Sequence, residues 1–159
     1  MMMREGLLCL LFCLLTLPMR GQQAEPAIDL PDVDSAILAT EMLQTDSMSQ
    51  ACRMLEMVGA QLLSYSNGTA LYTHFVTNRN TIFTLTQQRD SPRLRTVSFS
   101  AQTVGRLLPE TMLRLGYRLD WRKKGHAEYR HKHLGINATL DYNPAWSTCS
   151  MEFRLTDKK

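Results

Sequence analysis

Apolar residues first recur along this chain with a helical period. Met48, Cys52, Leu55, Val58 and Leu62 stand four, three, three and four apart, which predicts one face of an amphipathic helix with Cys52 on its buried side. Ser47 ahead of this stripe, with Gln50 three residues on, fits a capping box. A shorter helix is expected before it, from about Asp32 to Thr45, with Val33, Ile37, Met42 and Leu43 available for burial. Beyond Ser66-Asn67-Gly68 the period falls to two. Segments 70–77, 81–87 and 94–100 are rich in Thr, Val, Phe and Tyr and read as strands of an antiparallel meander, with Phe83, Leu85, Val97 and Phe99 turned inward.

A further helix is expected over roughly 103–115. Pro109, which lacks an amide hydrogen, marks either a kink or a fresh first turn, and Gly116 is a natural stop. Strand alternation then returns. Tyr117, Leu119 and Trp121 alternate with charged residues, and a strand over 126–133 follows the Lys124-Gly125 turn. Ile136, Ala138, Leu140 and Tyr142, then Cys149, Met151, Phe153 and Leu155, complete the pattern. The implied class is α+β, an antiparallel sheet with helices packed on one face. Because the order helix-then-three-strands occurs twice, the chain also invites reading as two helix-plus-three-strand units.

The segment ahead of these elements changes the expected compartment. Arg4 precedes an uninterrupted apolar run from Leu7 to Leu17 that Pro18 ends, too short to span a bilayer and of the length found in secretory signals. Residues 1–24 are therefore expected to be a signal peptide, 25–31 a flexible leader and 32–159 a single domain. No transmembrane anchor is expected, and the destination would be the periplasm in a bacterium or the extracellular space otherwise. Cys9 and Cys13 fall within the signal, leaving Cys52 and Cys149. An even pair in an oxidising compartment predicts a disulfide joining the long helix to the last strand. Asn67-Gly68-Thr69 and Asn137-Ala138-Thr139 are glycosylation sequons that matter only in a eukaryotic secretory route.

The net charge of +3 hides a division. Acids dominate up to Ser64, and Lys and Arg outnumber acids about two to one from Tyr65 onward. Arg118, Arg122, Lys123, Lys124, Arg130 and Lys132 are the candidate residues of an electropositive surface for an anionic partner. Nucleic acid is not the expected one, because an exported domain seldom meets it.

Catalytic patterns are missing. No Gly-x-Ser-x-Gly elbow and no Gly-rich phosphate loop occurs. His131 and His133 could share a metal, but a third ligand is not fixed by the local sequence, and no cofactor is implied. The methionines near the helices read as core filler, or more sharply as the lining of an apolar groove. The sequence thus favours an exported, non-enzymatic protein that binds another protein or an anionic envelope component. The alternatives are a small metal- or carboxylate-dependent hydrolase and an apolar-ligand carrier.

Overall fold

The computed structural model describes residues 32–76, 79–101, 108–143 and 148–156. The expected signal, leader and cleavage region lie outside them, as do the first residues of the helix expected over 103–115. One sheet dominates. Its eight strands are β1 (Gln61–Ser66), β2 (Thr69–Val76), β3 (Arg79–Gln87), β4 (Leu94–Ala101), β5 (Arg118–Lys123), β6 (His126–His131), β7 (Ile136–Asn143) and β8 (Thr148–Leu155). Among the described residues three short helices accompany them: α1 (Asp32–Met42), α2 (Met48–Met57) and α3 (Leu108–Arg114). Strands hold about twice as many residues as helices, so the expected α+β balance is overturned in favour of a mostly β protein.

All pairings are antiparallel, in the order β1-β2-β3-β4-β8-β7-β6-β5. Two four-strand meanders therefore meet at their last strands, and three strands per unit was one too few. The overlooked strand is β1. Helical spacing seemed to run on to Leu62, but Gly59, at φ 88, stops α2 with a left-handed residue that glycine adopts without penalty. The Ala60 amide then donates back to the Leu55 carbonyl, and the chain leaves as a strand.

Register explains the core. Tyr72, Phe83, Phe99, Met151, Leu140 and Ala127 form one continuous row across the sheet, and Ala70, Leu85, Val97, Phe153, Ala138 and Tyr129 form the next. All twelve are buried, on the face the helices cover. Above the middle of the sheet lies α1, against β4, β8 and α3, with Ala36, Ala39 and Met42 buried rather than Ile37. Small side chains at 35, 36 and 39 let it sit close. Helix α2 is capped by Ser47, whose hydroxyl accepts from the Gln50 amide, while the Gln50 side chain reaches the Asp46 amide rather than completing the reciprocal box. Its buried stripe is Met48, Ala51 and Leu55, which leaves Cys52 on the flank. Pro109 stands in the first turn of α3 rather than at a kink.

The expected disulfide is not present. Cys52 meets the Tyr72 hydroxyl on the β2 side of the molecule, whereas Cys149 lies on β8 opposite Ala101 and Tyr142. From β2 to β8 is three strand spacings, about 14 Å, against a Cα separation of about 7 Å that a disulfide tolerates. Both cysteines do project toward the same face, as their periodicity implied, but over different parts of it.

Candidate functional site

Helices cover one face of the sheet, and the other face is open. Over the first meander the open face carries Thr69, Leu71, Thr73, Phe75, Ile82, Thr84, Thr86, Thr96, Ser98 and Ser100, none of them charged. Over the second meander more than half of its positions are charged. Arg118, Arg130, Asn137 and Arg154 form one cross-strand row; Glu128, Thr139 and Glu152 the next; and Lys123, His126, Asp141 and Ser150 the third. This second half is the candidate site.

Its edge depends on a bulge. Asp120 is an extra residue in β5, so the register passes from Leu119 opposite Tyr129 to Trp121 opposite Glu128. A bulge turns the following side chain to the other face. Trp121, expected inside by alternation, thus stands on the open face, 46% exposed. Its ring meets the His126 ring edge-on at 5.4 Å, and the Lys123 ammonium sits 5.3 Å from its centroid. Strict period-two counting had no signal for this reversal.

Acids and bases interlock on the face. Arg130 pairs with Asp120 at 2.8 Å and Arg154 with Glu152 at 2.7 Å. His126 places Nδ1 2.5 Å from Asp141 and Nε2 3.4 Å from Glu128. The Asp141 hydrogen bond raises the His126 pKa above its ordinary 6.5, opposed by desolvation and assisted by Glu128. Between the pairs lies an open concavity of about 250 Å³, floored by Thr139 and Asn137 and rimmed by Asp120, Glu128, Arg130, Glu152 and Arg154. Exposed pairs of this kind contribute little to stability individually. Their effect is to hold charged groups in a fixed pattern.

The structure sorts the six basic candidates. Arg118, Lys123 and Arg130 share the open face, where Arg154, which sequence reasoning missed, joins them. Arg122 points to the helix side, near Tyr129. Lys124 and Lys132 stand in turns at opposite ends of β6. Against the four clustered bases stand Asp120, Glu128, Asp141 and Glu152, so the face is a mixed-charge lattice rather than a basic patch.

The two histidine candidates do not converge on a metal. β6 ends at His131, and His133 is exposed in the following turn, not on the same strand face. His131 is buried, edge-on to Tyr117 at 5.1 Å, and its Nδ1 accepts from the Leu134 amide at 3.1 Å. Its Nε2 lies against Gly116, 2.7 Å from where a Cβ would sit. Its Nδ1 is thus taken by the Leu134 amide, and among the described residues no group of three His, Cys, Asp or Glu could hold a metal. The interior is filled instead: Tyr72, Tyr117, Phe83, Phe99, Phe153 and Met42 are each less than 2% exposed. Of the methionines around the helices, Met42 and Met48 are buried in that core, Met54 packs partly buried against it, and Met57 is exposed at the end of α2. Among the described residues no helix is long and apolar enough to cross a membrane.

Neither a family model, nor a curated protein, nor a solved structure matches the chain.

Proposed function

We propose that this chain is an exported, non-enzymatic binding protein that engages a protein partner through the open face of its second meander. One observation carries the reading: the sheet leaves that face uncovered while holding an exposed tryptophan and interleaved acids and bases in a fixed array around a shallow concavity. An exposed aromatic beside patterned charge suits protein recognition, where complementary charge sets register and on-rate. Four acids among the bases would repel a uniformly anionic polymer. The Arg118–Arg130–Arg154 row favours a second reading, an anionic envelope component bound along that row. Export rests on the N-terminal sequence, with the periplasm or the extracellular space as destination.

The test is a photo-crosslinking residue replacing Thr139, in the concavity, or Glu41, exposed on α1, in the secreting host. A discrete protein adduct from position 139 alone, lost when Arg130→Glu is added, supports the proposal. The same adduct from both positions, or none from 139, overturns it. A polymeric adduct at 139 overturns the protein reading in favour of the envelope component.

A further inference from the structure

The helix stop and first two strands of the two meanders are equivalent residue by residue at an offset of 57 positions. Gly59, Leu62, Gly68, Ala70, Tyr72 and His74 recur as Gly116, Leu119, Gly125, Ala127, Tyr129 and His131. Both glycines that end the helices are left-handed, at φ 88 and 91. Both edge strands carry a bulge one residue beyond the shared leucine, at Leu63 in β1 and at Asp120 in β5. The two outer edges of the sheet therefore have the same backbone, and any difference between them lies in their side chains.

That difference is large. β5 is Arg-Leu-Asp-Trp-Arg-Lys, and β1 is Gln-Leu-Leu-Ser-Tyr-Ser. An edge strand presents unpaired amides and carbonyls to any approaching strand, and bulges and charged side chains both blunt it. The bulge is common to both edges; charged side chains guard β5 and are missing from β1. On β1 the apolar groups are also exposed on both faces, Leu62 and Tyr65 (60%) toward the helices and Leu63 (56%) toward the open side. Met57, 77% exposed at the end of α2, adds to the helix-side patch.

We infer that β1 joins two copies of this chain in an antiparallel dimer, extending the sheet across a two-fold axis. The occupant follows from charge and shape. An isologous contact sets a strand against itself, and like charges directly opposite are destabilising. A neutral strand escapes this, whereas β5 would bring Arg118, Arg122 and Lys123 near the same cations of its copy with Asp120 alone to offset them. Two such meanders already meet antiparallel within the chain, at β4 and β8, so the twist of the unit is compatible with edge-to-edge joining. The contact is distinct from the charged face proposed as the binding site and stands or falls separately.

Sedimentation velocity on the protein as isolated from its export compartment, from about 1 to about 100 µM, tests it. A monomer–dimer equilibrium is expected. Leu63→Lys should weaken it at least about tenfold by setting ammonium groups near one another across the axis, while Leu119→Lys, beside the equivalent bulge on β5, leaves it unchanged. Both side chains are exposed, so neither change opens the core. As concentration rises, amide exchange should slow over 61–66 and not over 118–123. A monomer at every concentration, a dimer indifferent to Leu63→Lys, or equal sensitivity to Leu119→Lys would overturn the inference.

Discussion

Gly116→Ala tests the packing of the second unit most directly. Gly116 ends α3 at φ 91, a conformation that costs a residue with a Cβ about 1–2 kcal/mol. The added methyl would also sit 2.7 Å from His131 Nε2, below any real carbon contact. His131 cannot swing away cheaply, because Tyr117 meets its ring and Leu134 donates to its Nδ1. Displacing it adds a cost typical of overpacking, about 1–3 kcal/mol. The total expected is thus about 2–5 kcal/mol, out of the 5–15 kcal/mol that usually separates native from unfolded chains. Gly68→Ala is the internal control: φ is 71, but the new Cβ comes no closer than 3.4 Å to Gln87, so about 1 kcal/mol is expected from the backbone alone. Urea unfolding of the wild type, both single variants and Gly116→Ala/His131→Ala gives the comparison. In the double variant the steric part should disappear, leaving less than the sum of the two single losses. If Gly116→Ala costs no more than Gly68→Ala, or if the double variant is strictly additive, the wedge between Gly116 and His131 is not real.

Tyr117 donates to or accepts from Thr40 at 3.0 Å, so Tyr117→Phe should cost about 0.5–1.5 kcal/mol by urea unfolding. Burial, partly offset by that hydrogen bond, pushes the Tyr117 phenol up from 10.0 to about 12. Its contribution is therefore whole below pH 10 and lost as pH rises through about 12, and Tyr117→Phe should flatten that alkaline fall in stability. For His126 the folded pKa is likewise raised, so its stabilising contribution is present below pH 6.5 and lost as pH rises through the folded value. An NMR titration should show that pKa move down toward the ordinary value in Asp141→Asn. Phe99 sits in the central cluster with Phe83 and Phe153, and Phe99→Ala should cost about 3–5 kcal/mol. Without reductant, Cys52 and Cys149 should each take an alkyl group after denaturation, and a mass 2 Da low with no alkylation would restore the disulfide.

Six of the eight strands were legible because each presents alternating residues to one buried face, and β5, exposed along its whole length, was legible from its own alternation of apolar and charged residues. β1 was not: it too is exposed throughout, and its apolar residues do not alternate. The leucines there continued a helical spacing by coincidence, and the stop at Gly59 was passed over although Gly116 was read correctly. Repetition was legible in outline only. The informative echo lies in Ala70-x-Tyr72-x-His74 and Ala127-x-Tyr129-x-His131. Position on the sheet decides the rest. Trp121 changed face at a bulge that nothing in local alternation announces, and the Cys52–Cys149 pairing failed because a shared face says nothing of lateral distance.

The equivalence of the halves also says where specificity resides. Inside, the units use the same residues at the same places: the tyrosines Tyr72 and Tyr129 are buried in register, and the histidines His74 and His131 are buried at the same strand position. His74 meets the Val58 carbonyl at the end of α2 while His131 packs behind Gly116 at the end of α3, so each ties a strand to the helix before it. Outside, at the same offset, Leu71 answers to Glu128, Thr73 to Arg130 and Ser64 to Trp121. A change on the exposed face costs little stability, whereas a change inside must preserve volume and hydrogen bonding. Folding therefore constrains the interior of both units alike and leaves the surfaces open to divergence. That one half keeps a neutral, hydroxyl-rich face and an unguarded edge, while the other fixes a tryptophan among paired charges, is best explained by different contacts for the two. On the proposed reading, self-association belongs to the first meander and partner recognition to the second.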